Sequence, residues 1–95
     1  MDETYYIVRA YEAGLFFGQI AARRGNEVDL VNARKLWYWS GACGPEQLAA
    51  EGVKNPQACK FTVIVPEMTV LNVCQIIPCS EAARINLETV AVWRS

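Results

Sequence analysis

The feature that most constrains this chain is a succession of aromatic and β-branched runs, cut at short intervals by glycine, asparagine and proline. Tyr5 to Glu12 reads as a strand, with partial alternation of apolar and polar residues. Ala13-Gly14 then supplies a turn, and Leu15 to Arg23 a second strand. Gly18 inside that second run predicts a bulge or a close approach of backbones. Arg24-Gly25-Asn26 is the next turn, because Gly and Asn tolerate the positive φ of a tight hairpin. Glu27 to Val31 alternates as a half-buried strand should, and the three strands predict a meander. Asn32-Ala33 breaks the run, and Lys35 to Trp39 follows as a short aromatic strand.

The second half alternates strand and helix signals. Ser40 to Gly44 is a loop of small residues. Pro45 opens a helix that runs to Glu51 and stops at Gly52. Val53 to Lys60 is a loop punctuated by Asn55-Pro56, and Phe61 to Val65 a strand that Pro66 either ends or marks as an edge. Met68 to Ile77 reads as one further strand, although its spacing also fits a helix in part, and Pro78 closes it. Ser80 caps a short helix from Glu81 to about Asn86, and Val90 to Trp93 is a terminal strand. The fold class is therefore α+β: a mainly antiparallel sheet of about five to seven strands, with scope to curl into a small barrel, plus two short helices. There is no repeat and no linker, so residues 1–95 are read as a single domain.

Composition narrows the function classes. Hydrophobic residues make up 53% of a 95-residue chain. A domain that small hides a limited share of its surface, which favours a homo-oligomer or another partner. The net charge is −1, and Arg23, Arg24, Arg34 and Lys35 form the one local concentration of basic residues. That argues against a nucleic-acid binder and leaves room for a small anionic ligand. The acidic start, Asp2 and Glu3, is unlike a signal peptide, and no apolar stretch has the length of a membrane span. The expected location is cytoplasmic, with reduced thiols. Cys43, Cys59, Cys74 and Cys79 contain no C-x2-C pair, and there is no histidine, so neither zinc nor any cofactor is expected. Lack of histidine also removes the commonest general base, and the chain is read as non-enzymatic. The remaining enzymatic option uses Glu12, Glu27 or Asp29 as base.

One segment concentrates binding chemistry: Asn32-Ala33-Arg34-Lys35-Leu36-Trp37-Tyr38-Trp39-Ser40-Gly41-Ala42. In a strand, Trp37 and Trp39 share one face and Tyr38 takes the other. The two indoles can be core, or they can form a protein interface or a stacking platform. As a ligand site, Trp37, Tyr38 and Trp39 stack on a ring, while Arg34, Lys35, Ser40 and Gly41 hold its anionic part. The plain alternative for the loop is an ordinary strand-to-helix turn, since every such turn exposes backbone N–H groups.

The same segment, with "LAAEGVKNPQACKFTV" after it and "QIIPCSEAA" later, resembles a small family of tailed-bacteriophage and prophage proteins. Members begin with a "VRxYxAGxxxG" strand pair, matched by Val8 to Gly14 and Gly18, and carry an "NARRxWYWSGA" core, matched from Asn32 to Ala42 with Lys35 in place of the second arginine. An "IIPCT"-like corner is matched by Ile76 to Cys79, with Ser80 for the threonine. The resemblance carries over no catalytic residue. It implies an accessory phage protein in the bacterial cytoplasm that binds a host protein or a nucleotide-like ligand in host modulation or counter-defence. The alternative is a minor structural or assembly component of the virion.

Overall fold

A computed structural model describes residues 3–93. Its strands are β1 (Tyr6–Ala10), β2 (Gly14–Arg24), β3 (Glu27–Tyr38), β4 (Lys60–Phe61), β5 (Val65–Val70) and β6 (Val73–Pro78). The helices are α1 (Pro45–Glu51) and α2 (Glu81–Glu88), with a 3-10 turn at Pro56–Ala58. The α+β class read from the sequence is the one observed: six strands, all pairings between them antiparallel, and two helices.

The strand order is β4-β3-β2-β1-β6, and β5 also pairs with β3. β4 lies against the second half of β3 (Leu36↔Phe61) and β5 against the first half (Val28↔Val70). β5 and β6 thus belong to opposite sides of the sheet, yet only Leu71-Asn72 separates them in the chain. That short link forces the sheet to curl. The Tyr11 N–H donates to the Asn72 carbonyl at 3.1 Å and the Val73 N–H to the Asn26 carbonyl at 2.9 Å, which pins the corner. The sheet stays open, because β5 and β6 form no ladder with each other.

Bulges supply the curvature, since an extra residue in one strand increases local twist. The β2–β3 register shifts between Phe17 and Gln19 and again between Ile20 and Ala22. Gly18 sits at the first shift, where a Cβ would lie 2.9 Å from the Cβ of Ala33. The close approach anticipated there is real. The break anticipated at Asn32-Ala33 is instead a kink inside a continuous β3. Asn32 takes a φ of 51° and donates its side-chain amide to Gln19 Oε1 at 2.8 Å, and the ladder resumes beyond it.

Further boundaries differ from the sequence reading. Pairing lapses at 62–64, because Thr62 is spent on β3: its hydroxyl accepts from the Lys35 N–H at 2.9 Å and its carbonyl from Arg34 Nε at 3.0 Å. Of the two options for Pro66, the edge is the one observed: it sits in β5, which pairs only with β3 among the described strands and tolerates the missing N–H. The single strand read over Met68 to Ile77 is two strands, split where Asn72 adopts a φ of 59°. The tail contributes one bridge, Val92 to Phe61, rather than a strand.

Both sheet faces are buried. Consecutive residues of β1 point to opposite sides. Ile7 joins Leu15, Phe17, Leu36, Leu48, Phe61 and Leu87 beneath the helices. Val8 joins Phe16, Val28, Leu30, Ala33 and Val70 in a cluster made by strands alone. Ser80 fastens the helices together. Its Oγ accepts from the Ala83 N–H at 3.0 Å, as the predicted cap, and donates to the Ala50 carbonyl at 2.7 Å. Ser80→Ala loses both bonds and is expected to cost about 1–2 kcal/mol in urea unfolding. A loss below roughly 0.3 kcal/mol contradicts that dual role.

Candidate functional site

A cleft of about 680 Å³ opens at the end of the sheet beside the β1–β2 turn. Its lining includes Arg9, Glu12, Gly14, Lys35, Trp37 and Trp39. The volume lies within the range common to small-molecule sites. Gly14 adopts a φ of 102°, and a Cβ there would sit 3.3 Å from Lys35 Cε. The bare glycine therefore lets the lysine stem cross the turn. Lys35 Nζ ends 6.0 Å from the Phe16 ring centroid.

Neither Lys35 nor Arg9 joins an ion pair among the described residues. The pairs there are Arg24 with Glu27 and Asp29, and Arg84 with Glu81 and Glu88. Glu46 stands near Arg9, but its Oε2 accepts from Gln75 Nε2 at 3.0 Å. That hydrogen bond, more than the charge of Arg9, lowers its pKa. The cleft thus offers two cations without fixed counterions.

The seven residues singled out from the sequence separate. Lys35, Trp37 and Trp39 line the cleft. Trp37 and Trp39 do not share a face as the alternation predicted. The β3–β4 register shifts between Leu36 and Tyr38 and β3 ends at Tyr38, so Trp39 packs toward the helix-side cluster. Trp37 remains 55% exposed and stacks on Trp93, with centroids 5.1 Å apart and planes 1° from parallel. Lys60 Nζ lies 5.3 Å from both ring centroids, in reach of a cation–π contact. Tyr38 is half exposed and lies outside the cleft wall.

Arg34 is somewhere else altogether. It is 1% exposed and points under α2, where NH1 donates to the carbonyls of Leu87 at 3.2 Å and Val90 at 2.8 Å. Its guanidinium lies 5.2 Å from the Phe61 ring centroid, and NH2 has no hydrogen-bond partner among the described residues. Burial lowers its pKa. Ser40 and Gly41 also serve the fold. Asn55 Nδ2 donates to Ser40 Oγ at 3.4 Å, and a Cβ on Gly41 would meet Lys54 N at 2.7 Å.

The basic concentration seen in sequence is dispersed in the same way. Arg24 bonds Glu27 and Asp29 across the hairpin and holds the Asp29 carboxyl down at about 2, with help from the Thr69 hydroxyl. Asp29, one of the bases considered, is thus a stabilised carboxylate. Glu12, another, is exposed on the turn with a φ of 63°.

The chain carries no disulfide. Cys43 and Cys74 are exposed, Cys59 is buried, and burial pushes the Cys79 thiol up to about 12. No group of three or more potential metal ligands occurs among the described residues. No helix among them is long and apolar enough to cross a membrane.

A family model described as a domain of unknown function, DUF6948, matches residues 3–87. The chain belongs to the DUF6948 family. No curated protein and no solved structure matches it. The matched span covers every strand and nearly all of α2, and every residue of the cleft wall falls within it. Trp93 lies beyond that span.

Sequence reasoning missed Arg9 as a cleft residue. The signal was present: Arg9 alternates with Ile7, so a charge stands on an otherwise core-facing side of β1. The Trp37–Trp93 stack had no local signal, because it depends on the chain returning past β4.

Proposed function

We propose that this DUF6948 chain is a non-enzymatic binding protein that captures a small anionic, nucleotide-like ligand in the cleft at the β1–β2 turn. The role we propose for that capture is host modulation or counter-defence within the bacterial cytoplasm, a reading supported by the resemblance of the central motif to phage and prophage proteins. What carries the capture reading is one juxtaposition: Arg9 and Lys35, both without ion-pair partners, line the same cleft as Trp37 and Trp39. Cations hold phosphate and indoles stack on bases, each by general chemistry. Arg34, Ser40 and Gly41 have structural work in place of the ligand contacts first considered.

A protein partner, or a second copy in a homo-oligomer, fits a different surface. Tyr38, Val63, Ile64 and Trp93 are exposed around the β4 edge, and aromatic residues of that kind anchor interfaces. A virion component would use this edge, and would be found by mass spectrometry of purified particles.

Native mass spectrometry of protein purified gently from bacterial cells, before and after denaturation, tests the capture reading. Wild type is expected to retain a nucleotide-sized mass. Lys35→Ala changes a partly exposed side chain, and is expected to lose that mass, with affinity down roughly tenfold or about 1.4 kcal/mol. Equal retention by the variant, or a bare wild-type mass, counts against the cleft.

A further inference from the structure

The cleft is paired in chemistry. Arg9 lies opposite Leu15 in the β1–β2 ladder, and Lys35 opposite Phe16 in the β2–β3 ladder. Leu15 and Phe16 are consecutive and point to opposite faces of β2. Leu15 indeed belongs to the helix-side cluster and Phe16 to the strand-only cluster. Arg9 and Lys35 therefore reach one cleft from opposite faces of the sheet, around the end of the β1–β2 hairpin.

The indoles divide the same way. Trp39 packs toward the helix-side cluster, on the side of Arg9. Trp37 carries Lys60 over its ring, and Lys60 alternates with the helix-side Phe61 in β4, so Trp37 lies on the side of Lys35. Each side of the hairpin end thus carries one cation and one indole. Between them runs the turn, with Glu12 at a φ of 63° and Gly14 at 102°. Gly14 keeps that saddle low, since any side chain there meets the Lys35 stem.

From this duplication we infer that the ligand is a dinucleotide: two phosphates and two bases in one molecule, straddling the hairpin end. One phosphate sits by Arg9 and the other by Lys35, with one base against each indole. A mononucleotide fills only one half. Glu12 lines the cleft from the β1–β2 turn, and a carboxylate there disfavours a phosphate at the saddle itself. This inference rests on the capture reading above and specifies its ligand class.

The test uses the full chain, with AMP, the linear dinucleotide pApA and cyclic di-AMP as probes, followed by calorimetric titration. At least one dinucleotide is expected to bind tenfold or more tightly than AMP, as a second phosphate and base add contacts. Arg9→Ala and Lys35→Ala are each expected to weaken that dinucleotide roughly tenfold, while only one of them weakens AMP. Circular dichroism melts of both variants, expected to match wild type, separate a lost contact from a lost fold. If AMP binds as tightly as both dinucleotides, or a single cation accounts for all the affinity, the two-phosphate inference fails and the capture reading stands. If none of the three probes binds, both fail.

Discussion

Arg34→Ala is expected to destabilise the protein by about 3 kcal/mol, lowering Tm by roughly 12–24 °C for a chain of this size. The reason is the number of carbonyls that one guanidinium serves. Nε donates to Thr62 and NH1 to Leu87 and Val90, so β3 is tied at once to the segment after β4 and to the end of α2. α2 has no basic residue in its last turn, and Arg34 supplies from β3 the positive charge that a helix C-terminus favours. Truncation leaves buried acceptors unpaired and opens a hole beneath Phe61. Arg34→Met fills much of that hole and still leaves the carbonyls unpaired, so it is expected to recover less than half of the loss. Arg34→Lys keeps the charge, but one ammonium does not span both the Thr62 and Val90 carbonyls in the fork geometry of a guanidinium. Urea unfolding with an unchanged m-value measures all three. A loss of under roughly 0.5 kcal/mol for Arg34→Ala contradicts the assignment of this residue to the fold.

The second large effect is expected at Gly52. This residue has φ 79° and ψ −155°, a region that side chains other than hydrogen rarely enter. A Cβ there would lie 2.6 Å from Asn86 Cγ and closer still to its Oδ1. Asn86 cannot yield without loss, because its amide is bonded twice to Val53: it accepts from the Val53 N–H at 2.8 Å and donates to the Val53 carbonyl at 3.0 Å. That pair joins the end of α1 to α2. Gly52→Ala therefore combines backbone strain with two broken hydrogen bonds, and about 3 kcal/mol is expected. Gly25→Ala is the matched control. It also has positive φ, at 59°, but nothing lies within 4 Å of its Cβ position, so only about 1 kcal/mol is expected. Equal losses at the two sites contradict the role given to Asn86.

These two residues show what a sequence of this kind discloses. Gly52 was readable as a helix stop because the signal is local, a glycine after seven residues of helix-forming sequence. Its contact with Asn86, 34 positions away, was not. Arg34 was misplaced for a similar reason. Beside Lys35 it looks like half of a basic pair, but adjacent strand residues face opposite sides, and only α2 packing over that side turns Arg34 into a buried donor. Alternation and turn chemistry marked β1, β2 and the hairpin at Gly25-Asn26 well. They failed at Asn32, where a left-handed residue bulges a strand without ending it, and at Leu71-Asn72, where a two-residue corner joins opposite edges of a curled sheet. Of the candidate site, Lys35, Trp37 and Trp39 were legible from composition. Arg9 needed the ladder register that brings β1 to the same end of the sheet.

The cleft is the centre of this account, and its most direct test is a nitrogen-15 NMR titration of the full chain with pApA. Three indole N–H resonances report separately on Trp37, Trp39 and Trp93, and backbone amides report on the rest. The Trp37 and Trp39 indoles and the Gly14 amide are expected to shift together, saturating at one concentration, while the Gly25 and Gly41 amides, outside the cleft wall, stay in place. Shifts confined to residues outside the cleft wall, or no saturable shift at millimolar ligand, contradict it.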